Sequence, residues 1–231
     1  YWYVSVGGGT SGGAVGESPT GPWIDPLGQA MITREIINAP NTTNTRDPGT
    51  FVDPLDDSYY LVYGSCSGEV QPTTGCYWLS LLNDDMISSK EIIQLNITDA
   101  MGPYGPGKAD DKPYMHFANG VYYLSWGCFY GTSDSVIGPY QYRGNFLNAT
   151  LLDPDFRTGN LTAEPWYTQY DYQDRHGSFL HLNEQWYFFH NDRSHSTVPF
   201  EHFFRNAVAS YVHYNDDGTI APILVDATGV G

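Results

Sequence analysis

An aromatic strand motif recurs along this chain at a nearly constant interval. Each copy contains two adjacent aromatic residues, and the last three copies follow turn residues. The copies are YWYVSVGGG at 1–9, DDSYYLVYGS at 56–65, NGVYYLSWGC at 119–128 and NEQWYFFHND at 183–192. The aromatic pairs of the last three lie 63 and 64 residues apart, and the first pair lies 57 residues before the second. A period of this size, built from strands and turns, predicts a β-propeller with large blades.

The remaining pattern favours an all-β chain. Gly (25 residues) and Pro (15 residues) punctuate a sequence that is 16% aromatic, which is typical of short strands joined by turns. The segment 81–95 has an internal Asn-Asp-Asp turn and is predicted to form two strands and a loop. A β-sandwich would share these hairpins but not the period. We therefore predict one propeller domain whose blades cover 1–40, 46–105, 108–170 and 174–231, with the first blade entered part-way.

The net charge of the chain limits which kinds of molecule it is expected to bind. The net charge is −16 and only ten residues are Lys or Arg, which argues against binding nucleic acid. No apolar run approaches the length of a membrane span. The acidic balance suits an extracellular protein with a neutral polysaccharide or oligosaccharide as its partner. Four N-x-[ST] sequons also favour secretion and predict glycosylation, at Asn41, Asn96, Asn148 and Asn160.

The three cysteines fit the same compartment. Cys66 and Cys76 flank a short polar segment and are predicted to close a loop by a disulfide in an oxidising environment. Cys128 is then left over, either as a small core residue or as the partner of a cysteine elsewhere.

Ionisable residues recur where three repeats begin. The strand before each aromatic pair opens with RDPGTFVD, DDKPYMHF or DRHGSFLH, which places Asp47, Asp111 and His176 respectively 12, 11 and 10 residues before the pair. Because the innermost strands of a propeller line its axis, these side chains are expected to converge on one funnel.

Two carboxylic groups in such a funnel suit acid-assisted cleavage of a glycosidic bond. Asp111 follows Asp110, and like charge together with burial under nearby aromatic residues favours the protonated form of one carboxyl group. Trp126 and Phe129 fit either stacking against a sugar or packing in the core. Asp47 precedes proline and also fits a simple turn former.

The motifs together resemble the five-bladed β-propeller glycoside hydrolases of family 43, over nearly the whole chain. The resemblance rests on ESPTGPW, on DPGTFVD followed by YYLVYG, and on three longer runs: DKPYMHFANGVYYLSW, HGSFLHLNEQWYFFH and FRNAVASYVHYNDDGTI. It implies a secreted glycosidase that removes terminal sugars, most readily α-L-arabinofuranosyl residues, with inversion. β-Xylosidase, exo-galactanase or galactosidase activity belongs to the same family, and a carbohydrate-binding propeller without catalysis is a further alternative.

The resemblance also implies roles for individual residues. Asp111 matches the general acid, although the family usually has Glu there, and Asp47 matches the aspartate that modulates the acid's proton affinity. His176 matches a histidine at the funnel centre, beside which a calcium or sodium ion is expected, and Arg205 matches an arginine that reaches substrate. Asp110, Trp126 and Phe129 are expected around the substrate, and Glu164 is the rival acid. The family's general base lies about a hundred residues before Asp47 and has no match in this chain.

Overall fold

The computed structural model describes residues 1–7, 9–38, 43–66, 77–99, 101–102, 105–106, 111–147, 176–192, 206–223 and 230. Every regular element in these residues is a β-strand, which confirms the predicted all-β class. The 18 strands are β1 (Trp2–Val6), β2 (Thr10–Gly16), β3 (Trp23–Ile24), β4 (Thr43–Asn44), β5 (Gly49–Val52), β6 (Tyr59–Cys66), β7 (Tyr77–Leu82), β8 (Ser89–Gln94), β9 (Ile97–Thr98), β10 (Met101–Gly102), β11 (Gly105–Pro106), β12 (Pro113–Ala118), β13 (Val121–Trp126), β14 (Phe129–Ser133), β15 (Tyr140–Asn145), β16 (Gly177–Leu182), β17 (Gln185–Asp192) and β18 (Asn206–Val212). Within the same residues, no helix could cross a membrane.

The strands form four main sheets in chain order, plus the small pair β10–β11. The first sheet has the order β1-β2-β3 and the second has β4-β6-β7-β8, with β5 also paired to β6. The third has the order β12-β13-β14-β15-β9 and the fourth has β16-β17-β18. Apart from β9, neighbouring strands within each sheet are antiparallel, as expected for chain segments joined by hairpins. The segment 81–95 is two strands and a turn, as predicted.

Each hydrophobic core lies between two consecutive sheets. Between the first and second sheets, Met31 and Ile32 pack with Leu61, Tyr63 and Trp78. Two further clusters fill the second-to-third and third-to-fourth interfaces in the same way. Sheets that pack face to face in sequence, without a single central core, are the architecture of a β-propeller.

The aromatic pair of the third sheet serves both of its interfaces. Because side chains alternate across a strand, adjacent residues face opposite neighbours. In β13, Tyr122 packs in the cluster shared with the second sheet, whereas Tyr123 packs in the cluster shared with the fourth. The pair in the third sheet therefore fills two buried faces, whereas in the second sheet Tyr60 is buried and Tyr59 is 47% exposed.

One strand crosses a predicted blade boundary. The prediction assigned residues 46–105 to one blade, but Ile97 and Thr98 of β9 pair in parallel with Tyr140 and Gln141 of β15 in the next sheet. Tyr140 also donates its backbone N–H to the Asn96 carbonyl at 2.8 Å. The connecting chain thereby covers the outer edge of the third sheet, which removes an exposed edge.

Candidate functional site

The ladder register identifies equivalent positions at the starts of the inner strands. In the last three sheets the inner strands are β5, β12 and β16. Each pairs residue for residue with the strand that carries the aromatic pair, which is β6, β13 or β17 respectively. The residues opposite the first aromatic are Val52, Phe117 and His181. Five residues earlier along the chain, just before each strand begins, come Asp47, Lys112 and His176. The predicted equivalence of Asp111 with Asp47 and His176 is therefore wrong by one residue.

Hairpin length explains the error. In the second sheet, residues 53–58 lie between Val52 and its partner Tyr59, whereas in the third sheet only residues 118–121 lie between Phe117 and its partner Tyr122. Spacing along the chain therefore does not translate directly into position along the axis. Lys112 occupies the predicted position, and Asp111 immediately precedes it.

A cavity of about 370 Å³ lies where the sheets meet. Its wall comes from β1, β5, β12, β16 and β17 and the residues just before them. The lining residues are Tyr1, Trp2, Tyr3, Pro48, Gly49, Thr50, Pro113, Tyr114, His176, Gly177, Ser178 and Phe189. The inner strands thus converge on one cavity as expected. His176 lies in its wall, while Asp47 and Asp111 lie next to the lining segments that begin at Pro48 and Pro113.

Four charged side chains meet beside this cavity, and we call them the charge quartet: Arg46, Asp47, Asp111 and Lys112. The Arg46 guanidinium lies 3.3 Å from Asp111 Oδ2 and 3.9 Å from Asp47 Oδ2. The Lys112 ammonium contacts Asp111 Oδ1. The quartet therefore links the start of the second sheet's inner strand to that of the third.

Asp47 is also held by the first sheet. The Ser5 hydroxyl donates to Asp47 Oδ1 at 3.1 Å, and the Asp47 backbone N–H donates to Ser5 Oγ at 2.7 Å. This reciprocal pair anchors the residue to β1. Asp47 has a left-handed backbone with φ of 56°, a conformation that aspartate tolerates better than most residues.

Close approach of two backbones brings the quartet together. A Cβ atom added to Gly49 would lie only 2.8 Å from the Pro113 carbonyl oxygen. Glycine therefore permits β5 and β12 to run side by side at the cavity wall. Because Arg46 and Asp111 immediately precede these segments, the same approach lets their side chains meet.

His176 lines the cavity without an evident metal site around it. Its backbone N–H donates to the Asn191 side-chain oxygen, and the Asn191 N–H donates to the His176 carbonyl at 3.2 Å. In the part of the chain that the structure describes, no three His, Cys, Asp or Glu side chains come together as a metal site. Calcium takes six to eight oxygen ligands. The calcium or sodium ion expected beside His176 therefore stays a prediction.

The structure corrects the expectation that Trp126 and Phe129 bind substrate. Trp126 has 0% and Phe129 has 6% of its surface exposed, and both belong to the core between the second and third sheets. The Trp126 ring packs 6.0 Å from that of Tyr77. Side chains this deeply buried cannot offer a ring face to a sugar, so the core interpretation holds for both residues.

Several predicted residues lie outside the described part of the chain. They are Asn41, Cys76, Asp110, Asn148, Asn160, Glu164 and Arg205. Cys66 ends β6, but its predicted disulfide partner Cys76 lies outside the described residues, so the disulfide stays untested. Asn96 is exposed, as a glycosylation site requires, and Cys128 is a buried core residue.

Sequence reasoning missed Arg46 and Lys112. The available signal was their placement, since each belongs to a charged pair of residues that precedes proline at the start of an inner strand. Their contact with the carboxylates could not be inferred before the two strands were known to lie together.

A buried histidine, His116, packs among aromatic rings two residues after the cavity-lining Tyr114. The His116 ring stacks 4.6 Å from Tyr123 and 4.1 Å from Phe179, measured between ring centroids. Its Nε2 shares a 2.8 Å hydrogen bond with the Tyr214 hydroxyl. Burial lowers the pKa of His116 to about 3, because the charged imidazolium loses its hydration. The ring is therefore neutral at neutral pH.

The chain is thus a β-propeller with a cavity where its inner strands meet and four charged side chains beside that cavity. It belongs to the glycosyl hydrolases family 43, whose model matches residues 1–220. The predicted five-bladed propeller fold, with about four blades in this chain, is confirmed by its likeness to solved members of the family.

The proteins to which this chain is similar include two arabinoxylan arabinofuranohydrolases and two solved structures. The chain is 26% identical to the arabinoxylan arabinofuranohydrolase of Bacillus subtilis (strain 168) and 24% identical to that of Paenibacillus polymyxa, in each case over 100% of this chain. It covers only 45% and 36% of those two proteins.

Among solved structures, an α-L-arabinofuranosidase from Clostridium thermocellum is 26% identical, with a TM-score of 0.70 over 99% of this chain and 69% of that one. The Bacillus subtilis arabinoxylan arabinofuranohydrolase, solved with cellotetraose, is 22% identical, with a TM-score of 0.72 over 100% of this chain and 50% of that one.

Proposed function

We propose that this protein is a glycosidase that removes terminal sugars, most readily α-L-arabinofuranosyl groups, from polysaccharide side chains with inversion. The observation that carries the proposal is the cavity where the inner strands meet, with two carboxylates brought together beside it by Arg46. Membership of family 43 and the arabinofuranohydrolase relatives support the reaction type and the sugar. β-Xylosidase and exo-galactanase activities are the other outcomes of a substrate panel.

Within this proposal each carboxylate has a distinct task. Asp111 donates a proton to the glycosidic oxygen as the bond to the anomeric carbon breaks, so that the leaving group departs as a neutral alcohol. Asp47, fixed by Ser5, orients the substrate and modulates the proton affinity of Asp111. Asp110, Arg205 and His176 contact the sugar. No residue of this chain is assigned as the base that activates water.

Release of L-arabinose from arabinoxylan tests the proposal, because its leaving group is a sugar alcohol that must be protonated as it departs. Loss of the acid typically lowers the rate by about 10²–10⁴-fold, so Asp111→Asn should reduce kcat/KM by that factor. The control is Asp134→Asn, which changes an exposed carboxylate on the loop after β14 and should leave turnover within about twofold. Undiminished turnover by Asp111→Asn would overturn the assignment of Asp111.

One observation favours a second candidate, a carbohydrate-binding propeller without catalysis. Asp111 contacts two cationic side chains, and cations stabilise the ionised carboxylate, which has no proton to donate. On this alternative the cavity retains sugar affinity and the quartet fixes its wall. Binding of xylo-oligosaccharides by calorimetry, with no product from any aryl glycoside of the panel, would establish this candidate and refute the glycosidase.

We also propose an extracellular location. Support comes from the exposed sequon at Asn96 and from the strongly acidic composition. Secretion from a eukaryotic host should yield a protein whose mass falls on enzymatic deglycosylation, and Asn96→Gln should remove one glycan. Mass spectrometry of a non-reduced digest tests the Cys66–Cys76 disulfide. A protein with no glycan and with both cysteines reduced would contradict this proposal.

A further inference from the structure

The charge quartet is built from two equivalent dipeptides of opposite order. Asp47 and Lys112 hold equivalent positions in the second and third sheets, so Arg46 and Asp111, which precede them, are equivalent as well. Along the chain the charges run positive-negative in the first dipeptide and negative-positive in the second. Each cation therefore faces a carboxylate across the interface or beside it, and the cluster is neutral as a whole.

Arg46 is the member that joins the two strands. Its Nη2 lies 3.3 Å from Asp111 Oδ2, its Nε lies 3.9 Å from Asp47 Oδ2, and Nη2 also donates to Ser65 Oγ at 3.5 Å. The buried Nε has no hydrogen-bond partner. Asp111 Oδ1 is meanwhile held by Lys112. One oxygen of Asp111 therefore contacts the neighbouring Lys112, and the other contacts Arg46 from the segment before β5. Together these two contacts fix the plane of the carboxyl group.

Burial strengthens these contacts. The exposed fractions of the side chains are 6% for Lys112, 16% for Asp47, 20% for Asp111 and 37% for Arg46. Charges that are partly removed from water interact more strongly than a pair on the open surface. The charged groups in contact with Asp111 are thus Arg46 from the segment before β5 and Lys112 beside it in the chain. Arg46 also contacts Asp47, and His176 lines the adjoining cavity.

We propose that Arg46 is a positioning residue for Asp111, which orients its carboxyl group and confines the protonated, proton-donating form to the acid side of neutrality. The proposal deepens the glycosidase function and rests on it for the catalytic consequence. It predicts an enzyme that works best in acid, because raising the pH removes the proton that Asp111 must transfer.

The direct test follows the Asp111 carboxyl carbon by NMR during a pH titration, with Asp111→Asn to assign the signal. Removing a neighbouring arginine cation typically raises an aspartate's titration midpoint by about one pH unit or more, so Arg46→Met should shift it upward by that amount. Arg46→Lys keeps the charge and should retain most of the wild-type midpoint. An unchanged midpoint in Arg46→Met would overturn the proposal. Arg46→Gln repeats the test if the methionine variant does not fold.

A second readout separates this proposal from the glycosidase function. If Asp111 is the acid, the alkaline limb of the kcat/KM profile should move upward in Arg46→Met by the same amount as the NMR midpoint. A midpoint that moves without the kinetic limb would refute Asp111 as the acid while leaving its control by Arg46 in place. A kinetic limb that moves without the midpoint would refute the control by Arg46.

Discussion

His116 is expected to make the fold sensitive to acid, and paired substitutions isolate its contribution. The imidazole is buried, with a pKa lowered to about 3, whereas a histidine in the unfolded chain titrates near 6.5. As the pH falls below 6.5, the unfolded chain takes up a proton that the folded protein cannot accept. Stability is therefore fully present above pH 6.5 and is lost progressively as the pH falls toward 3.

The size of the effect follows from the two pKa values. Each unit of pKa difference corresponds to about 1.4 kcal/mol, so this one group should lower the free energy of unfolding by about 2 kcal/mol between pH 7.5 and pH 5.0. A domain stabilised by about 5–15 kcal/mol would show such a loss clearly.

The assay compares Tyr214→Phe with the double variant His116→Phe/Tyr214→Phe by urea unfolding at both pH values. Both lack the hydroxyl that bonds to His116, and phenylalanine keeps an aromatic ring between Tyr123 and Phe179. The single variant should lose about 2 kcal/mol more than the double variant when the pH falls from 7.5 to 5.0. Equal losses would refute the neutral, buried state of His116.

Two further substitutions test a close contact at the cavity wall and a buried hydrogen bond in the core. Gly177→Ala should destabilise the protein by about 1–3 kcal/mol in urea unfolding, because the new methyl group would press on the Phe188 ring and lie 2.9 Å from the Phe189 carbonyl oxygen. Gly7→Ala, where the methyl group would meet nothing within 4 Å, is the control, and equal effects of the two changes would contradict the close approach. Tyr122→Phe should cost about 1.5–3 kcal/mol in the same assay, because the Tyr122 hydroxyl donates at 2.8 Å to the buried Asp53 carboxylate. A cost below 0.5 kcal/mol, as expected for surface changes, would show that this hydrogen bond does not stabilise the fold.

The propeller architecture was predictable because the same strand motif, with its adjacent aromatic residues, recurs along the chain. A sheet packed between two others needs apolar side chains on both faces of its strands, as the pair Tyr122 and Tyr123 shows. The same alternation could also have placed Trp126 correctly. Tyr122, Leu124 and Trp126 share one face of β13, and all three lie in the core between the second and third sheets.

The site was predictable only in part. Spacing from the aromatic pair located the starts of the inner strands, but the longer hairpin at 53–58 shifted the comparison by enough to conceal Lys112. The contact of Arg46 with Asp111 joins residues that are far apart in sequence. It depends on how closely β5 approaches β12, which the glycine at position 49 permits and no sequence pattern reveals.

The most direct test of the central claim maps sugar binding onto the backbone. The claim is that the cavity between the inner strands receives the sugar. Titration of the ¹⁵N-labelled protein with L-arabinose and with xylotriose should shift the amide signals of Thr50, Tyr114 and Gly177, which line the cavity. Signals from β8 and β15, at the outer side of their sheets, should not move. Shifts confined to these outer strands, with the cavity signals unchanged, would contradict the account.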